Sequence, residues 1–195
     1  METKTGKEMR TLQELFKTPR MFYMPLSDNN SVEGLYDMVT EIITPEFMIV
    51  EIGSFAGVSA DLFARYCNRL FCVDVWTMDP SYQEIDPEAL RKAELMFDQV
   101  WGEHKQVIRP IQGFSTKIAN NFKDKSLDMV YIDGRHDYDS VLADIKAWMP
   151  KIKKGGWLTG HDIDLDGERV LKAVTEVIGI DYKTYKDTSW AHQVK

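Results

Sequence analysis

Four residues of this chain have the types and spacing for chemistry at a single cleft. Asp133 and His136 fall in Tyr131-Ile132-Asp133-Gly134-Arg135-His136-Asp137-Tyr138, and His161 and Asp162 fall in Gly160-His161-Asp162-Ile163-Asp164. Each group follows a short apolar run with the character of a buried strand. Two carboxylates and two imidazoles suit a divalent cation held by oxygen and nitrogen, or a general base that takes a proton from a substrate hydroxyl. In the second case either His136 or His161 can serve, because an unperturbed imidazole titrates near neutral pH. His104 and His192, in a helix–strand connection and in the last strand, read as structural.

A second group of residues has the pattern of a ligand loop. Val50-Glu51-Ile52-Gly53-Ser54-Phe55-Ala56-Gly57-Val58-Ser59 lies between an apolar strand and an amphipathic helix. Open α/β sheets bind ligands at such carboxyl ends. Gly53 lets the backbone turn sharply and approach a ligand, and Gly57 allows tight packing at the helix start. The spacing is E-x-G-x-x-x-G, neither the G-x-G-x-x-G of a pyrophosphate cradle nor a P-loop. Glu51 would repel a phosphate and attract a cation. Asp74, 21 positions after Gly53 and followed by Val75, ends the next strand. An acid there takes ribose hydroxyls. Gly113-Phe114-Ser115 follows the third strand and can line an adenine pocket, with Phe114 as an apolar wall.

Those residues need a scaffold that brings strand ends to one rim. Short apolar runs alternate with helical periods, which argues for βαβ units and a mostly parallel sheet. The expected strands are Phe47 to Ile52, Leu70 to Val75, Val107 to Gln112, Leu127 to Ile132 and Trp157 to Gly160, with a hairpin from Tyr182 to Tyr185 and Trp190 to Val194. Pro110 suits an edge strand. Helices are expected after Gly57, from Pro87 (with Asp86 as N-cap) to about Trp101, over Ser115 to Phe122, Tyr138 to Ile152 and Glu168 to Ile178. Gly155-Gly156 would end the Tyr138 helix, with Lys151, Lys153 and Lys154 complementing its dipole. Residues 1–44 are expected to form a helical cap or lid, with helical stretches around Leu12–Phe16 and Val32–Ile43, ahead of one ligand-binding domain over 45–195. The loops Arg20 to Asn30 and Trp76 to Asp86 would shape a substrate pocket.

The ordered set E-I-G-S-F-A-G-V-S, V-Y-I-D-G-R-H-D-Y, then a helix, G-G and G-H-D resembles the class I S-adenosylmethionine-dependent methyltransferases. Within them it is most similar to the small family of sugar and macrolide O-methyltransferases, over about residues 45 to 165. The resemblance implies a doubly wound Rossmann-like α/β fold, a seven-stranded sheet with the last strand antiparallel and helices on both faces. It implies S-adenosylmethionine as cofactor, held by Glu51, Gly53, Ser54, Phe55, Gly57, Ser59, Asp74, Val75, Gly113, Phe114, Ser115, Asp133 and His136. It implies O-methylation of a small hydroxylated acceptor, with His136, His161 and Asp133 as catalytic candidates. Some relatives bind Mg²⁺ through carboxylates that map onto Asp133 and Asp162; His161 stands where some carry another acid.

Composition bounds the alternatives. The 195 residues carry 24 basic and 31 acidic side chains, a net charge of -7, which disfavours a nucleic-acid partner. No apolar run approaches the roughly 18 residues of a membrane span, and no signal peptide is legible, so a cytoplasmic location is expected. Cys67 and Cys72 lack metal-site spacing and read as reduced core residues. A homodimer stays open. Two rival functions remain: a nucleotide-dependent oxidoreductase, disfavoured by the missing G-x-G-x-x-G, and a ligand-binding protein without turnover.

Overall fold

The computed structural model describes residues 30–76, 87–164 and 167–195. The stretch Leu12–Phe16, most of the Arg20 to Asn30 loop, the loop from Thr77 to Asp86 and the expected Asp86 cap lie outside the described residues.

Seven strands form one sheet: β1 (Met48–Ile52), β2 (Arg69–Asp74), β3 (Ile108–Gln112), β4 (Leu127–Ile132), β5 (Ile152–Gly160), β6 (Lys183–Thr184) and β7 (Trp190–Gln193). Their order is β3-β2-β1-β4-β5-β7-β6. The first five run parallel, and β7 is antiparallel to both β5 and β6. Chain order reverses between β1 and β4, so the switch point where such sheets bind ligands lies between their carboxyl ends. Pro110 sits on β3, the sheet's edge, where its missing N–H costs no ladder bond.

Helices α1 (Asn30–Ile42), α2 (Val58–Tyr66), α3 (Pro87–Glu103), the short α4 (Ser115–Ile118), α5 (Tyr138–Trp148) and α6 (Arg169–Ile178) surround the sheet. Strand side chains alternate between faces. Ile49, Cys72, Met129 and Tyr131 pack on one face with Met38, Val39, Phe63, Phe97 and Val100 of α1, α2 and α3. Val50, Ile52, Val73, Val130 and Ile132 pack on the other with Val141, Ile145, Trp148, Val170 and Val174 of α5 and α6. The central strands are therefore apolar on both sides, as a parallel sheet covered by helices requires.

Two expectations are corrected. Helix α5 stops at Trp148, before Gly155-Gly156, and a 3₁₀ turn over Met149–Lys151 leads straight into β5. Pro150 explains the stop, since it offers no N–H to continue the helix. The glycine pair lies inside β5, beside a register shift against β4 between Leu127 and Met129. A Cβ on Gly156 would meet the Asp128 carbonyl oxygen and the Ile152 Cγ2, each at 2.7 Å. Nor do the lysines close a helix: Lys151 and Lys153 pair with Asp124 and Asp128, each at 2.7 Å.

Candidate active site

The strand-end acids share one face of one rim. Glu51 is in register with Cys72 on β2 and Tyr131 on β4. Asp74 and Asp133 follow those residues by two positions, so alternation puts all three carboxylates on the α1–α2–α3 side. Asp133 N–H donates to the Ile52 carbonyl at 2.9 Å, and Gly53 N–H donates to the Val73 carbonyl at 2.9 Å. The three strand ends are thus bonded into one lip.

The β1–α2 loop is shaped by glycine and braced by Glu51. Gly53 has φ +86, and a Cβ there would stand 2.0 Å from the Asp133 carbonyl oxygen. Gly57, at φ +80, lies against Phe97 and Val100 of α3. Glu51 is completely buried. Its carboxylate accepts the Ser54 hydroxyl at 2.5 Å and the Ser59 hydroxyl. Burial pushes its pKa up to about 7, against those hydrogen bonds. Glu51 therefore turns into the loop and fixes the path of Ser54 to Ser59 around the rim.

Asp74 ties this loop to the end of β2. Its two oxygens accept the N–H groups of Phe55 and Trp76, each at 2.9 Å, and burial raises its pKa. Each oxygen keeps a lone pair for a further donor. Trp76 closes the same corner: its ring N–H donates to the Phe55 carbonyl at 3.2 Å, and its ring packs on Phe97 at 4.5 Å between centroids. Trp76 is a site residue that spacing alone did not single out. The Gln112 amide donates to the Val75 carbonyl at 2.9 Å, and Gly113 N–H to the Asp74 carbonyl at 2.9 Å, which brings Gly113-Phe114-Ser115 to the same rim. Phe114 is half exposed, with the Lys117 ammonium 5.3 Å from its ring centre. The Ser115 hydroxyl donates to Asp144 of α5, a buried acid whose pKa burial pushes up to about 6.

The four residues after β4 and β5 do converge. His136 Nε2 lies 3.0 Å from Asp162 Oδ2 and 3.6 Å from Asp133 Oδ1. His161 Nδ1 lies 3.0 Å from Asp162 Oδ1 and 4.0 Å from Asp133 Oδ1. Asp162 adopts φ +59, a left-handed conformation uncommon for aspartate, which holds its carboxylate between the two rings. The Asp133 and Asp162 carboxylates push His136 up to about 10. Burial works against charge on His161, yet Asp162 and Asp187 push it up to about 11. Burial opposes the charge on Asp162 too, and the two histidines overcome it, holding the acid well below the usual range. The direction runs against the expectation of an imidazole base near neutral pKa: the carboxylates favour the protonated form of each ring, because each faces them at close range in a half-buried cluster.

The same donors fit a divalent cation. Asp133, His136 and Asp162 each offer a ligand atom, all within 4.8 Å of one another. A second donor set, Asp61, Glu103 and His104, lies between α2 and α3. There His104 Nε2 sits 2.6 Å from Asp61, which also takes Arg65 at 2.7 Å, so His104 has the expected structural role. His192 Nδ1 lies 2.5 Å from the Asp181 carbonyl.

Known proteins share the family and the fold. A family model described as a methyltransferase domain matches residues 50–163, from β1 to the loop after β5. A rhamnosyl O-methyltransferase of Mycobacterium tuberculosis is 26% identical over 152 residues, covering 76% of this chain and 59% of that protein. The chain spans between 13% and 59% of the length of the curated relatives it matches. Among solved structures, the O-methyltransferase NovP superposes with a TM-score of 0.64 at 15% identity, over 84% of this chain and 77% of its own. The O-methyltransferase TomG of Streptomyces achromogenes, solved in complex with S-adenosylmethionine, superposes with a TM-score of 0.60 at 14% identity, over 97% and 92%. The family match covers more than half of the 195 residues: the chain belongs to the methyltransferase-domain family.

Proposed function

We propose that this chain transfers the methyl group of S-adenosylmethionine to a hydroxyl of a small sugar-like acceptor. The observation that carries the cofactor assignment is the single lip formed by the β1, β2 and β4 ends. On it, the Asp74 carboxylate, anchored by the Phe55 and Trp76 amides, has lone pairs free for two ribose hydroxyls. Gly53 leaves the backbone open, and Phe114 offers an apolar face for adenine. The sugar-type acceptor rests on the likeness to rhamnosyl O-methyltransferases.

In the reaction, the acceptor oxygen attacks the methyl carbon. The sulfur–carbon bond breaks with its electron pair left on sulfur, and the hydroxyl proton leaves. The protein supplies alignment, which is worth much of the acceleration for a transfer of this kind, and a proton acceptor. The surrounding carboxylates favour protonated rings at His136 and His161, so we assign the acceptor's proton to Asp133, which faces both rings and is partly open to solvent. The two histidines hold Asp162 ionised and direct donors at the oxygens that gather there. A divalent cation held by Asp133, Asp162 and a His136 ring that has given up its proton would polarise the acceptor hydroxyl and lower its pKa.

The test is transfer of labelled methyl from S-adenosylmethionine to a panel of rhamnosides and other glycosides, with D74A and D133N alongside the unaltered protein. The expected result is a methyl ether made by the unaltered protein, with cofactor binding weakened about thirtyfold in D74A and turnover lost in D133N. Failure to bind S-adenosylhomocysteine would remove the cofactor assignment. Binding without transfer to any hydroxylated acceptor would remove the catalytic one. Full turnover in excess chelator would remove the metal.

A further inference from the structure

One carboxylate beside the cluster comes from an element with no apparent link to the site. Asp187 lies in the turn between β6 and β7, 25 positions after Asp162. Its side chain exposes no surface, and a buried carboxylate is costly unless donors surround it. Ser189 supplies two: its N–H reaches Oδ1 at 3.1 Å and its hydroxyl reaches Oδ2 at 2.9 Å. Helix α1 closes the other side. A Cβ on Gly34 would stand 2.2 Å from Asp187 Oδ1 and 2.4 Å from its backbone nitrogen. The turn is also pinned to the loop after β5, since Ile163 N–H donates to the Thr188 carbonyl at 3.1 Å. Asp187 is therefore fixed on three sides.

On the remaining side it faces His161. Oδ2 lies 3.7 Å from Nε2, within ion-pair range though longer than a hydrogen bond. Nε2 is buried and has no hydrogen-bond partner among the described residues. The other nitrogen of that ring, Nδ1, faces Asp162 and Asp133. One imidazole thus spans two acidic regions, one fixed by the fold and one at the cluster. Catalytic and metal-binding histidines depend on such a group, because a carboxylate on the far nitrogen sets ring orientation and selects which nitrogen is presented.

We infer that Asp187 is a positioning residue: from its seat in the β6–β7 turn it orients the His161 ring so that Nδ1 is presented to Asp133 and Asp162. This rests on the proposal that the cluster is where the acceptor reacts. Asp187 touches no reacting atom and acts through His161. It also gives the terminal hairpin a part in the site, which a purely structural edge would not have.

The experiment compares the full chain with D187N, H161A and the double variant. It reads the ring nitrogen resonances of His161 by NMR, Mn²⁺ affinity by titration, and S-adenosylhomocysteine affinity. The expected result is that D187N shifts the His161 ring signals and weakens Mn²⁺ binding about tenfold, with S-adenosylhomocysteine affinity unchanged. In the H161A background D187N should weaken Mn²⁺ no further, because the two residues act as one unit. Ring signals identical to those of the unaltered protein, or a D187N effect that persists undiminished without His161, overturns the inference. If the unaltered protein binds neither Mn²⁺ nor S-adenosylhomocysteine, the proposed function falls, and the ring signals alone decide whether Asp187 positions His161. Should D187N fail to fold, S189A keeps the carboxylate and removes one of its donors. Movement of the same ring signals then supports the inference, and unmoved signals overturn it.

Discussion

Glu51 is a carboxylate placed where water cannot reach it, and its cost sets a pH dependence. Its folded pKa, about 7, lies above the unfolded value of 4.5. The folded state therefore binds the extra proton. The stability this contributes is fully present below about pH 4.5 and is lost as pH rises through 7. E51Q, which cannot ionise, should lack this dependence. Between pH 5 and pH 8 the unaltered protein should lose on the order of 3 kcal/mol relative to E51Q, measured by urea unfolding at the two pH values. Parallel curves for the two proteins would mean that Glu51 does not titrate in this range. Asp74 stands one strand over and has a different task. D74A removes the acceptor shared by the Phe55 and Trp76 amides. It should weaken S-adenosylhomocysteine binding by about 2 kcal/mol, roughly thirtyfold, since hydrogen bonds to a charged group carry that order of energy; calorimetric titration checks it.

At the scale of elements, the turns decide what the strands can present. Gly53 to alanine would put a Cβ on the Asp133 carbonyl, at a backbone angle that non-glycine residues rarely take. Strain of this kind costs about 1–3 kcal/mol before the clash is counted. G53A should therefore lower the unfolding free energy by at least that much and abolish cofactor binding, whereas G155A, whose Cβ meets nothing within 4 Å, should pay only for its left-handed φ of +80. Comparing the two by thermal melts separates the contact from the conformation. The same turns show where sequence patterns reached and where they stopped. Strands β1, β2 and β4 were legible because a strand covered on both faces is an unbroken apolar run. The start of β5 was not: Ile152-Lys153-Lys154-Gly155-Gly156 has the polarity of a helix end, and its strand character comes from pairing of Ile152 with Leu127 on β4 and of Gly155 and Gly156 with Val194 just past β7, which no local pattern records. The three-acid lip was legible because acids at parallel strand ends must share a rim. Asp187 was not, because it reaches His161 only through the fold of a hairpin that reads as an ordinary turn. The pull of the carboxylates on His136 and His161 was hidden for a similar reason, since it depends on distances between the ends of β4 and β5.

At the scale of the whole molecule, ligand binding and folding are one equilibrium. On the proposed function, S-adenosylhomocysteine would be held by a lip assembled from β1, β2, β3 and β4, whose members lie between 51 and 133 in the chain, so the unfolded chain would have nothing to offer it. Binding to the native state alone stabilises by RT ln(1 + [L]/Kd), about 2.7 kcal/mol at one hundred times Kd. For a chain of this size each kcal/mol raises Tm by about 2–4 °C, so the melt should move by roughly 5–10 °C. NAD at the same concentration should leave Tm where it is, because its pyrophosphate needs the glycine-rich cradle that the Glu51–Gly57 loop replaces with a buried acid. D74A, with affinity about thirtyfold weaker, should keep only about a third of the shift while melting cooperatively on its own, which distinguishes a lost ligand contact from a lost fold. A shift with NAD equal to that with S-adenosylhomocysteine would mean that the rim recognises adenosine in general, and the choice of a methyl donor would then have to come from the His136–His161 side of the cleft.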